Sequence, residues 1–206
     1  MSLNRRERHR LNVRSQILDA ARELFAAEGY EAVTMRRIAD AVEYSATALY
    51  QHFKDKDTLI SELCMMDCAS LAESFQAIAK NPAPLERLRE IGLAYVGFGI
   101  ERPNHYRFLF MSGWLIREED LDVMGHGNPQ QDAYAFVLDT MTEAINQGSF
   151  QPHLTDPHLL AQAYWASIHG AVTLHLANYG DPWVEWRTLE DTARLIIETM
   201  LRGWTK

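Results

Sequence analysis

Only two cysteines, Cys64 and Cys68, occur in the 206-residue chain. That is too few for a disulfide framework or a cysteine-based zinc site. Their i,i+4 spacing puts both on one face of a helix, as reduced, packed thiols of a protein expected in a reducing cytoplasm. The period-two, β-branched pattern of a strand is also missing. There is no GxSxG nucleophile turn, no HExxH pair, no convincing acid/base pair and no phosphate loop ending in Lys-Ser/Thr. Gly92, Gly97 and Gly99 of GLAYVGFG sit instead in an amphipathic pattern, where glycine serves close helix packing or pocket space. His169 and His175 lie six residues apart and share no helix face, so no metal site is expected, and nothing implies a cofactor. No apolar run follows the charged first residues, so no secretory signal is expected. Leu159 to Gly180 carries no Asp, Glu, Lys or Arg over a length that could span a bilayer. Gln162, Ser167, His169, His175 and Asn178 within it point to a helix buried in protein rather than in lipid.

What the chain does hold is enough apolar material for a folded core, with 47% hydrophobic and 23% charged residues. The apolar positions recur at helical spacing. Val13, Ile17, Ala20, Ala21, Leu24 and Phe25 mark a first helix that stops at Gly29. Thr34 can cap a short second helix, MRRIADAV, with Met35, Ile38 and Val42 on one face. After a corner at Glu43 and Tyr44, Ser45 can cap a third that turns Leu49 and Phe53 inward. A fourth helix is expected from near Asp57 to Ala79, a fifth from Leu85 toward Glu101, and a short sixth from Pro103 to Phe110. Gly125 to Pro129 reads as a loop. Later helices are expected at Gln130 to Gln147, Pro157 to Tyr179 and Glu185 to Gly203. The last of these carries an apolar stripe of Leu189, Ala193, Ile196, Ile197, Met200 and Trp204.

The fold class is therefore all-α, and the first three helices read as a helix-turn-helix module. Charge divides the chain in the same place. Residues 1–60 carry ten Lys/Arg against nine Asp/Glu, while the remainder carries ten against nineteen, so the overall −8 belongs to the C-terminal part. Arg5, Arg6, Arg8, Arg10 and Arg14 face one acid, Glu7, and read as a mobile basic arm suited to a polyanion. A short helix that reads DNA must offer small or polar side chains outward. Ser45, Ala46, Thr47, Ala48, Tyr50 and His52 do so. Thr47 and Ala48 can set a methyl against thymine, and Tyr50 and His52 suit phosphates, with Gln51 beside them and Lys54 and Lys56 extending the positive footprint. Thr34 with Arg36 or Arg37 is placed to grip the backbone at the start of the second helix.

At residues 13 to 60 these elements resemble the DNA-binding region of the tetracycline-repressor (TetR) family of bacterial transcription regulators. Thr34, Ile38, Ala39, Leu49, Tyr50, Phe53, Lys56 and Leu59 carry the likeness. The resemblance implies DNA contacts at Thr34, Arg37, Thr47, Tyr50, His52 and Lys56, with Ser45 to Ala48 reading bases. It also marks a departure. The family usually has Ala-Gly-Val-Ser where this chain has Val42, Glu43, Tyr44 and Ser45, so a turn glycine is replaced by glutamate. If the position has φ above zero, the substitution costs on the order of 1 kcal/mol. Glu43 can also repel phosphate.

Trp165, His169 and Gly170 in AYWASIHGAV, with Leu88 to Phe110, are similar to the subgroup whose C-terminal domain has a Trp-x-x-x-His-Gly signature. This implies a ligand-binding and dimerisation domain whose last two helices pair with a second subunit in a four-helix bundle. A two-fold dimer implies a palindromic operator on double-stranded DNA. Tyr95, Phe98, Phe108, Phe110, Trp114, Phe136, Trp165 and His169 are the candidates for an effector pocket. The expected organisation is a DNA-binding domain at 1–55 and a ligand-binding and dimerisation domain at 56–206. The expected function is that of a ligand-responsive repressor, not an enzyme and not a membrane protein. The alternatives are an interaction protein that keeps the fold with weakened DNA binding, and a small helical enzyme using the histidine-rich C-terminal region.

Overall fold

The computed structural model describes residues 4–113 and 116–206; Trp114 lies outside the described residues. Among these residues the regular secondary structure is helical, with an isolated bridge between Phe150 and Thr205. The helices are α1 (Arg5–Glu28), α2 (Met35–Ala41), α3 (Ala46–Tyr50), α4 (Lys56–Gln76), α5 (Pro84–Glu101), α6 (Pro103–Met111), α7 (Ala133–Asn146), α8 (Pro157–Asn178) and α9 (Leu189–Trp204). No helix of the described residues is long and apolar enough to cross a membrane.

Local chemistry sets most of these boundaries. Thr34, Ser45, Asp132, Asp156 and Thr188 each accept backbone N–H groups at the start of their helices, supplying partners the first turn lacks. Gly29 ends α1 at φ +80°, where a side chain would be strained.

The basic N-terminus is a correction to the expected mobile arm. Arg5 to Arg14 form the first turns of α1, because Asn4 accepts from the Glu7 N–H and the Glu7 carboxylate accepts from the Asn4 N–H, each at 2.9 Å. This reciprocal capping box satisfies two otherwise unpaired donors and fixes the helix start well before Val13.

By its internal contacts the chain divides into two compact units, residues 1–67 with 104–121 and residues 68–103 with 122–206. In the first, α1 buries Ile17, Leu18 and Phe25, α2 buries Ile38, and α3 contributes Leu49. Phe108 of α6 completes this core with its ring 5.9 Å from that of Phe25. Fully burying each such side chain is worth about 1.5–3 kcal/mol. Also buried is an ion pair, in which Arg22 of α1 donates from Nε and Nη2 to both oxygens of Asp67 at 2.9–3.2 Å. Asp19 takes a further Arg22 N–H at 2.8 Å.

In the second unit α5 packs against α7, α8 and α9. Gly92 makes that closeness possible, since a Cβ there would lie 2.3 Å from the Tyr164 hydroxyl and 2.6 Å from Ile197 Cδ1. Along α9 the buried residues are Leu189, Ala193, Ile197 and Leu201, while Ile196 and Met200 lie at the edge of the stripe and Leu195 is exposed.

Candidate nucleic-acid interface

The corner between α2 and α3 is a complete Schellman turn. Glu43 N–H donates to the Asp40 carbonyl at 3.3 Å and Tyr44 N–H to the Ala39 carbonyl at 3.0 Å. The second bond requires Glu43 to be left-handed. Glu43 has φ +58° and is the one non-glycine residue with positive φ among the described residues. Buried Ile38 and Ala39 on one side and Leu49 on the other hold the strained residue in place.

Thr34 caps α2 by accepting from the Arg37 N–H at 3.1 Å. Arg36 and Arg37 are both exposed, but Arg37 is paired with Glu28 at 2.9 Å. Ser45 caps α3 by accepting from the Ala48 N–H at 3.1 Å. With Leu49 fully buried, α3 turns Thr47 and Tyr50 to solvent, and Tyr50 is 53% exposed. Ala46 and Ala48 are half-buried. Thr34, Arg36, Ser45, Thr47 and Tyr50 therefore lie exposed on the two short helices, with the exposed Gln51 and Lys54 following α3.

Two expected contacts are drawn into the fold, Lys56 by its side-chain bonds and His52 by partial burial. Lys56 Nζ donates to the carbonyls of Tyr30 and Val33 at 2.9 and 3.0 Å and lies 3.9 Å above the Tyr30 ring. Its ammonium ties the start of α4 to the segment before α2. His52 is half-buried, and its carbonyl accepts from Arg14. Its Nδ1 is buried without a hydrogen-bond partner among the described residues. Burial, followed by the charges of Arg10, Arg14 and His9, pushes the ring's pKa below the usual histidine value, so His52 is neutral near pH 7. Arg14 is a residue that spacing alone did not place. Its guanidinium sits 4.0 Å from the centre of the Phe53 ring and is held by Glu62. The only sequence signal was the four-residue recurrence of Arg6, Arg10 and Arg14.

The expected effector residues fall into separate groups. In the second unit Trp165 Nε1 donates to the Tyr95 hydroxyl at 2.9 Å, and Tyr95 Oη is 3.2 Å from His169 Nδ1. His169 Nε2 lies 3.3 Å from Thr173 Oγ1. Burial lowers the His169 pKa, which favours its neutral form. Phe98 is buried under Arg102, and Phe136 is buried with its ring 6.0 Å from Phe75. Phe136 also borders a cavity of about 190 Å³ lined by Gln76, Arg87, Asp139, Thr140 and Glu143. In the first unit Phe108 is core and the Phe110 ring lies tilted against Tyr106 with centroids 4.9 Å apart. Among the described residues no group of three His, Cys, Asp or Glu is placed to hold a metal ion.

Residues 17–63 match the family model "Bacterial regulatory proteins, tetR family", and residues 88–200 match "Tetracyclin repressor-like, C-terminal domain". The chain belongs to the TetR family. Its likeness to other TetR proteins is strongest in the N-terminal helices. It is 42% identical to the transcriptional repressor AcnR of Corynebacterium efficiens over 64 residues, 31% of this chain and 34% of that protein. The match thus spans about a third of that relative's length. It is 30% identical to the repressor KstR2 of Mycolicibacterium smegmatis over 145 residues, 68% of this chain and 69% of that one. A TetR-family regulator from Marinobacter aquaeolei VT8 superimposes with a TM-score of 0.74 at 18% identity, over 97% of this chain and 99% of that one. The regulator KstR2 of Mycobacterium tuberculosis does so with a TM-score of 0.68 at 22% identity, over 100% and 97%. These two structures establish the TetR fold at low identity. Within that fold, the left-handed backbone at Glu43 accounts for the glycine that usually occupies this corner.

Proposed function

We propose that the chain is a cytoplasmic transcriptional repressor that binds a palindromic DNA operator as a homodimer and releases it on binding a small molecule. The observation that carries this reading is α3 itself. It is capped by Ser45, pinned by fully buried Leu49, and left with Thr47 and Tyr50 exposed beside the exposed Arg36 and Lys54. A side chain reading a base edge from such a helix is worth about 1–3 kcal/mol of discrimination. On this reading residues 1–55 bind DNA and residues 56–206 bind the effector and the second subunit.

Leu159 and Leu174 on α8 and Leu195 on α9 are each more than half exposed, which supports pairing of the last two helices with a second copy. Two-fold pairing would space the α3 helices about 34 Å apart, one turn of DNA. The aromatic, hydrogen-bonding file of Trp165, Tyr95 and His169 supports an effector with an apolar body and one polar group. Such a ligand shifts the dimer away from the DNA-matched arrangement only by its differential affinity for the two states.

Retardation of a duplex from upstream of the chain's own gene tests the reading. Sequence-specific binding by the native protein, weakened about tenfold or more by Tyr50→Ala without loss of fold, is the expected result. Equal affinity for unrelated duplexes at every salt concentration would overturn it. A second reading, reduced DNA affinity, is favoured by the exposed carboxylate of Glu43 in the corner itself. Tighter binding by Glu43→Gly would support it.

A further inference from the structure

The first turns of α1 are an ordered, capped helix, and this gives their charges fixed positions. Four-residue steps advance about 6 Å along a helix and stay on one side of it. Arg6, Arg10 and Arg14 therefore occupy one stripe, while Arg5 and Arg8 lie on the opposite side. The stripe is anchored at its inner end. Arg14 donates to the His52 carbonyl just past α3, covers the Phe53 ring and is neutralised by Glu62 of α4. Arg6 and Arg10 are exposed and have no carboxylate partner among the described residues, because the carboxylate of Glu7 is used at the Asn4 cap.

The charges around His52 complete the picture. Arg10, Arg14 and His9 of α1 act on its ring, Glu62 of α4 compensates Arg14, and Lys54 follows it in the chain. The surroundings of the ring are thus net positive, and its buried Nδ1 has no hydrogen-bond partner among the described residues. Arg10 lies one turn before Arg14, which is bonded to the His52 carbonyl, so an anion at Arg10 would reduce the positive charge that, after burial, opposes a proton on His52.

We propose that Arg6 and Arg10 form a further DNA-backbone contact, a row of guanidinia leading away from the end of α3, and that phosphates seated there let His52 take up a proton from solvent. The inference rests on the DNA-binding reading above and adds to it a contact outside the helix-turn-helix. Neutralising phosphates releases counterions, so the row contributes to the salt dependence of affinity and carries no sequence information. Proton uptake on binding makes affinity rise as pH falls through the histidine range.

The test uses the full chain and a fluorescent mixed-sequence duplex of ~30 base pairs, titrated over a series of salt concentrations. Arg6→Ala/Arg10→Ala is compared with Arg5→Ala/Arg8→Ala, all four side chains being exposed; unchanged melting confirms that both variants fold. The first pair is expected to flatten the salt slope by about 2 per bound chain and the second pair by well under 1. Native affinity is expected to rise about threefold or more between about pH 8 and about pH 6, and His52→Gln to lose most of that rise. Equal slopes for the two pairs, or a pH response that survives in His52→Gln, would overturn the inference while leaving DNA binding intact. Absence of duplex binding at every salt concentration would instead sink the DNA-binding reading itself.

Discussion

The N–H of Tyr44 reaches back to the carbonyl of Ala39 at 3.0 Å, and it can do so because Glu43 between them turns left-handed at φ +58°. An L residue with a Cβ is strained there by about 1–2 kcal/mol, and glycine is not. Glycine loses more entropy on folding, which offsets part of the gain.

Glu43→Gly is therefore expected to stabilise the protein by about 0.5–1 kcal/mol and raise the melting temperature by about 1–4 °C. Calorimetry checks this. Glu43→Val, β-branched and worse in this backbone, should lower the melting temperature instead. A fall for both variants would mean that the carboxylate has a structural partner.

Gly92 sits where α5, α8 and α9 converge, and the added methyl of Gly92→Ala would press on the Tyr164 hydroxyl and Ile197. Tyr164 cannot simply move, because it is buried and donates to the Leu88 carbonyl. A loss of about 1–3 kcal/mol by denaturant titration is expected. Adding Tyr164→Phe should recover part of it, since removing the hydroxyl removes the nearest clash. A double variant no better than the sum of the two singles would refute that account.

Asp67 is 1% exposed and holds Arg22, itself 6% exposed. Asp67→Ala leaves a buried guanidinium with only the more exposed Asp19, and about 3–5 kcal/mol of stability should be lost. Replacing both members with apolar residues of similar volume should restore much of that. Urea unfolding of the single and double variants distinguishes loss of the pair from loss of packing.

Lys56→Met tests a residue whose two roles are otherwise confounded. Loss of its bonds to the Tyr30 and Val33 carbonyls should lower stability by about 1–2 kcal/mol. Any fall in DNA affinity in that variant must be read against the melting temperature, whereas Arg36→Ala should weaken binding with melting unchanged.

Acid should weaken the fold through His169, whose pKa is lowered by burial. The unfolded ring binds a proton near the usual value of about 6.5, while the folded ring resists it. The stabilising contribution is complete above about pH 6.5 and is lost as pH falls toward the folded value. His52 and His175, lowered for the same first reason, add to the trend. In His169→Gln the drop in stability between about pH 7 and pH 5 should be smaller than in the native chain; an unchanged drop would show that His169 is not its source.

Signals confined to a few neighbouring residues were legible in the sequence. The caps at Thr34 and Ser45, the stop at Gly29 and the inward Leu49 and Phe53 depend on spacing along one or two turns. So does the suspicion raised by Glu43, since a corner between two short helices is a local object. The capping box of Asn4 and Glu7 was written there too, but the arginines around it read as a tail.

The partners that meet from far along the chain were decided only by the tertiary structure. Arg14 finds Glu62, Lys56 finds the Tyr30 and Val33 carbonyls, Phe108 finds Phe25, and Trp165 finds Tyr95. Periodicity gives the face a side chain occupies, but not which of the other helices will cover it. That choice depends on how the helices interlock, and a single position such as Gly92 can fix it by letting two others approach. The sequence by itself determined an all-α chain and its short, Ser45-capped third helix, because both follow from short-range spacing. Which cations stayed exposed and which became part of the fold was settled by packing.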